Sequence, residues 1–173
     1  MLQLQRDKDG LQIHLGRASQ QEKAALMDRI LAALSDSDHL QFLIWMSGLE
    51  GTLDDVLRDI PTQNYHYDRE ETGRFFTKKL ATLRLWTRHK EDMVTLATYF
   101  SALNEGYIHV DVLDSGDEVD ISTLPQETLE AYVLPKRRLA FVVEPDGDLL
   151  QVQYCRDAAD FHAIAAAIHS MHT

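Results

Sequence analysis

Carboxylates crowd one short stretch, Asp114-Ser115-Gly116-Asp117-Glu118-Val119-Asp120, and closely spaced acids in a turn are the hard oxygen ligands that calcium takes. The spacing does not suit the ion. An EF-hand loop sets acids at alternate positions with glycine sixth and glutamate twelfth, whereas glycine stands third here. The stretch therefore reads as a solvated loop, or as a tip that touches a partner. The eight histidines include no H-E-x-x-H or H-x-H pattern, and no cysteine pair is present to complete a zinc site. His162 and His169, seven apart, share one face of a terminal helix and read as its flank. No metal and no cofactor are expected.

Nucleophilic chemistry finds no better support. Ser47, in Trp45-Met46-Ser47-Gly48-Leu49-Glu50-Gly51, follows a strand but lacks the G-x-S-x-G elbow. Tyr65-His66-Tyr67-Asp68 brings a histidine near a carboxylate without a nucleophile, and its aromatic residues read as pinning a loop to the core. Cys155 is the single cysteine, which excludes an internal disulfide and a multi-cysteine metal site; it reads as a small apolar side chain. Neither G-x-x-x-x-G-K-[ST] nor G-x-G-x-x-G occurs, so phosphate and dinucleotide sites lack their usual cradle. The chain is read as a binding protein, not an enzyme.

Charge is the more informative signal. Of the 28 acids, ten fall between Glu91 and Pro135, where there is no Lys or Arg. That leaves 18 acids against all 17 basic residues in the other 128 positions, so one segment carries nearly all of the net charge of −11. A second acidic group, Glu50, Asp54, Asp55 and Asp59, is relieved only by Arg58. Concentrated negative charge repels itself; its main use is to steer a basic protein partner, raising association rates about 10–1,000-fold at low salt. It has the wrong sign for nucleic acid. Between Arg69 and Lys90 seven basic residues gather, but Asp68, Glu70 and Glu71 temper the start and the acidic segment follows, so pairing inside the molecule is their expected role.

These candidate residues must be positioned by a fold, and the clearest element is the hairpin Arg138 to Cys155. Leu139, Phe141 and Val143 share one strand face, Leu150, Val152 and Tyr154 another, and Pro145-Asp146-Gly147-Asp148 turns between them. Phe161, Ile164, Ile168 and Met171 then form a helical stripe able to lie on the hairpin. At the other end, Leu2 and Leu4, then Leu11, Ile13 and Leu15, alternate around Asp9-Gly10 as a hairpin. Ser19 and Glu22 make a capping box for a helix with Leu26, Met27, Ile30, Leu31 and Leu34 on one stripe. His39 to Met46 reads as an interior strand and Thr52 to Ile60 as a short helix. A helix is expected from about Arg69 to His89, with Phe76, Leu80, Leu83 and Trp86 facing the core, and another from Glu91 to Leu103. Tyr107 to Leu113 alternates as a strand, and a short helix begins near Leu124-Pro125 and stops at Pro135.

Residues 1–173 hold no repeat and no low-complexity linker, and their 45% hydrophobic and 26% charged fractions suit one soluble domain. The expected fold class is α+β: a largely antiparallel sheet built from hairpins with helices packed on it. No apolar run approaches the roughly 20 residues of a spanning helix, so no membrane role is expected. MLQLQRDKDG lacks the pattern of a signal peptide, so a cytoplasmic location is expected. The functional expectation is an acidic binding protein that neutralises a basic protein partner, most sharply an immunity protein against a nuclease-like toxin. Asp111, Asp114, Asp117, Glu118 and Asp120 would meet the partner's Lys and Arg, with Tyr107, Tyr65 and Tyr67 as aromatic anchors. The alternative is a dimeric secretion chaperone that binds an extended peptide at a groove or strand edge.

Overall fold

Ser19 opens the first helix as its spacing predicts. Its hydroxyl accepts the Glu22 N–H at 3.2 Å while its own N–H donates to Glu22 Oε2 at 2.7 Å, so two orphan donors are satisfied at the start of α1 (Gln20–Ala33). The computed structural model describes residues 3–7, 10–62, 64–75, 78–102, 106–114 and 124–171. Its strands are β1 (Gln3–Asp7), β2 (Gly10–His14), β3 (Gln41–Leu49), β4 (Tyr65–Phe75), β5 (Lys78–Thr87), β6 (Ile108–Leu113), β7 (Arg137–Val143) and β8 (Leu149–Gln153). The remaining helices are α2 (Glu50–Asp59), α3 (Lys90–Ala97), α4 (Gln126–Lys136) and α5 (Ala158–His169).

All eight strands join one sheet in the order β1-β2-β8-β7-β6-β3-β5-β4, and every pairing is antiparallel. This is the expected single α+β domain. Period-two alternation decides what each face carries. Ile13, Phe42, Ile44, Leu83, Leu85, Val110, Phe141 and Val152 point to one face, where α1, α2, α3 and α5 cover them with Leu26, Ile30, Leu53, Val56, Met93, Leu96, Ile164 and Ile168. The terminal hairpin turns where predicted, with Asp146 at φ +77° and Gly147 at φ +67°. Glycine is required twice over at 147, since a Cβ there would overlap the Phe100 carbonyl.

The central expectation overturned is the helix from Arg69 to His89. That stretch is instead β4 and β5, a hairpin whose second strand sits between β3 and β4. Leu80, Leu83 and Trp86 fit a helical stripe, but Ala81, Leu83 and Leu85 equally fit a strand, and neighbouring strands decide between the two periods. Trp86 consequently lies on the opposite face from Leu83. The Tyr65-His66-Tyr67 loop is likewise the start of β4; Phe76 lies outside the described residues. α3 stops at Ala97, short of Leu103, and α4 runs through Pro135 to Lys136, because a proline in the last turn removes one hydrogen bond without breaking the helix.

Candidate partner-binding groove

The same alternation that fills the core sends Leu43 and Trp45 of β3, and His109, Asp111 and Leu113 of β6, to the other face of the sheet. Trp45 stands opposite His109 and Leu43 opposite Asp111. Just one described helix, α4, lies here. Its Leu129 and Val133 pack with Leu43, Trp86 and Leu113 in a second, smaller apolar cluster. A single helix cannot cover an eight-stranded face, and beside it runs a groove of about 510 Å³. Its floor is Leu43, Trp45, His109, Asp111 and Val142; its helical wall is Gln126, Leu129, Glu130, Val133 and Leu134; Tyr107 and Arg137 complete the lining. A second depression of about 380 Å³ shares Trp45, Tyr107 and Gln126 and continues over β5 and β4 to Arg84, His66 and Asp68.

The polar groups on this floor are held in place by one another. Asp111, 4% exposed, has its Oδ1 2.6 Å from Arg137 Nε and 3.2 Å from His109 Nε2. The Arg137 guanidinium also lies 5.2 Å from the centre of the Tyr154 ring, and that of Arg84 lies 5.2 Å from Trp45, both cation–π distances. On the wall, Gln126 Nε2 donates to Glu130 Oε1 at 2.7 Å. Among the described residues the exposed large hydrophobic side chains are Tyr65, Tyr107, Leu134 and Tyr154. Two of these line the groove and a third rests on Arg137. Aromatic, aliphatic and arginine side chains gathered around a partly apolar depression are the usual make-up of a binding hot spot.

The residues singled out by sequence do not form one surface. Asp111 is buried and paired inside the molecule, so its carboxylate is not presented to a partner as expected. Asp114 is paired with Arg156 at the surface. Asp117, Glu118 and Asp120 lie outside the described residues. Tyr65 and Tyr67 stand opposite Leu85 and Leu83, and so on the sheet face away from Tyr107. Tyr67 donates its hydroxyl to the Glu50 carbonyl at 3.0 Å, and burial, then Asp54 and Glu50, push its phenol well above the usual tyrosine range.

The second acidic group is also compensated locally. Arg58 sits 2.8 Å from Asp55 and 3.4 Å from Asp59, and Arg69 reaches Asp54 at 3.6 Å and Glu50 at 3.9 Å. Tyr99 donates to Asp59, and burial followed by that bond pushes its phenol up to about 12. Cys155 is half-buried, its thiol facing the Asp157 carbonyl and pushed up by burial, which opposes formation of a nucleophilic thiolate. No group of three or more metal-ligating side chains occurs among the described residues, and no described helix is long and apolar enough to cross a membrane. The groove residues Trp45, His109, Arg137 and Leu134 carried no motif; alternation along Tyr107 to Leu113 was the available signal, since it places His109 and Asp111 together. Comparison with family models, with curated proteins and with solved structures gives no match.

Proposed function

We propose that this chain is a protein-binding module that captures a basic protein partner, with the groove beside α4 receiving the partner's apolar anchor. One observation carries this reading: of the four exposed large hydrophobics among the described residues, Tyr107 and Leu134 line one depression, and a third, Tyr154, stacks on the Arg137 that also lines it. Apolar side chains scattered singly need no explanation, but a cluster around a groove with an arginine and a tryptophan does. The net charge of −11 supports the choice of a basic partner by steering encounter, while the groove supplies the short-range contact. An immunity protein that occludes a nuclease-like toxin is the sharpest form of this reading.

The test is a photo-crosslinking residue placed at Tyr107 in cells that make the protein, with the same residue at His162 on α5 as control. A discrete adduct to a protein of basic isoelectric point, seen from position 107 and not 162, is the expected result. Equal labelling from both positions, or an acidic or nucleic-acid adduct, would reject the assignment.

A further inference from the structure

The two depressions on the outer face are contiguous, and their combined extent limits what can fill them. They meet at Trp45, Tyr107 and Gln126, and between Val142 of β7 and His66 of β4 they cross five neighbouring strands. Four strand spacings of about 4.8 Å give roughly 19 Å, the reach of about six extended residues at ~3.3 Å each. A compact small ligand would fill one lobe and leave the other wet. A helix, about 10 Å across with its side chains, suits neither lobe as well as a narrow extended chain does.

Charge narrows the occupant further. Both arginines that reach the groove are already engaged, Arg137 with Asp111 and Tyr154, and Arg84 with the Trp45 ring. On the helical wall Glu130 stands exposed, and Glu127 is exposed three residues before it on α4. The wall between them and the floor is apolar, with Leu129, Val133 and Leu134. Resting on the function proposed above, we propose that the groove binds an extended segment of the partner, about six residues long, in which a large apolar side chain is flanked by lysine or arginine. The apolar group sits between Trp45 and Leu134, the cation faces Glu130, and the remainder of the segment continues past Tyr107 toward His66.

The experiment uses the full chain and fluorescently labelled synthetic peptides read by polarisation. The first is a hexapeptide with a central Phe-Leu pair flanked by two lysines; the second carries glutamates instead; the third is a tripeptide, Lys-Phe-Leu. The lysine hexapeptide should bind at least tenfold tighter than the glutamate one. Leu134→Ser and Glu130→Lys, both at exposed positions that leave the core intact, should each weaken it fivefold or more. His66→Ala should weaken the hexapeptide but not the tripeptide. Equal binding of lysine and glutamate peptides overturns the charge assignment, and equal binding of hexapeptide and tripeptide overturns the extended occupant. If no peptide binds while the adduct at position 107 forms, a folded surface covers the groove and this inference alone fails; if neither occurs, both proposals fail.

Discussion

Arg138 of β7 and Asp160 of α5 form a buried two-point ion pair, Nε to Oδ2 and Nη2 to Oδ1, each at 2.5 Å. The same guanidinium donates from Nη1 to the Ser35 carbonyl and from Nη2 to Ser35 Oγ, both at 2.7 Å. One side chain thus ties the terminal helix, the sheet and the turn after α1 together. The Asp160 hydrogen bond, acting against burial, holds Arg138 above the ordinary arginine range.

Removing one partner of this pair leaves the other charge buried without compensation. Asp160→Ala should lower stability by about 3–5 kcal/mol, whereas replacing both residues together, Arg138→Met with Asp160→Leu, should cost far less because an apolar pair of similar volume needs no compensation. Urea denaturation of the wild type and the two variants checks this. A double variant no more stable than the single one would show that the contacts of Arg138 with Ser35, lost only in the double variant, contribute as much as the unpaired charge costs.

Lys23 of α1 is 2% exposed, its ammonium placed against Ser101 Oγ and 3.4 Å from the Gly147 carbonyl. Burial lowers its pKa and Asp148 partly opposes that. With the folded value below the unfolded one, the unfolded chain binds more protons between the two, so stability rises with pH through that window. The penalty is full below the folded pKa and disappears above about 10.4. Relative to wild type, Lys23→Met should therefore be at its best near neutral pH and lose that advantage as pH climbs toward 10. Thermal melts of both proteins at matched pH values measure it; a difference independent of pH would contradict the assignment.

Gly106 sets the position of Tyr107. A Cβ at 106 would overlap the Ser47 carbonyl, and the Ser47 N–H donates to the Tyr107 carbonyl at 3.1 Å, so the two strands approach closely where Tyr107 enters the groove. Gly106→Ala should cost about 1–3 kcal/mol through overpacking. It should also weaken peptide binding at 25 °C, under conditions where the variant remains folded by circular dichroism. Normal affinity in a destabilised variant would remove Tyr107 from the binding surface.

How far the chain discloses this arrangement depends on how local each cause is. Ser19 with Glu22, and Asp146 with Gly147, act within a few residues, and both are readable and present as read. β5 is not local: its leucines satisfy two periods, and the choice is made by β3, more than 30 residues earlier in the chain. The groove is less local still, since Trp45, His109, Arg137 and Leu134 come from three strands and a helix that share a face only after the sheet is assembled. The pairing of Asp111 and Asp114 is non-local for the same reason, because the arginines that answer them sit at 137 and 156, outside the acidic segment from Glu91 to Pro135.

That last contrast can be tested by treating Asp111 and Asp114 as a pair of opposites. Asp111→Asn takes a buried negative charge away from Arg137, with which it is ion-paired, and from His109, with which it is hydrogen-bonded; a hydrogen bond to a charged group contributes about 1.5–3 kcal/mol. Asp114→Asn loses a partner of the surface residue Arg156, where exposed pairs contribute less than about 1 kcal/mol. Raising salt to 1 M, where the screening length falls to about 3 Å, should abolish the effect at 114 and leave most of that at 111. Urea denaturation at low and high salt distinguishes them. If Asp111→Asn proved as mild and as salt-sensitive as Asp114→Asn, its carboxylate would have to face solvent, and the original expectation that Asp111 meets a basic partner directly would regain its footing.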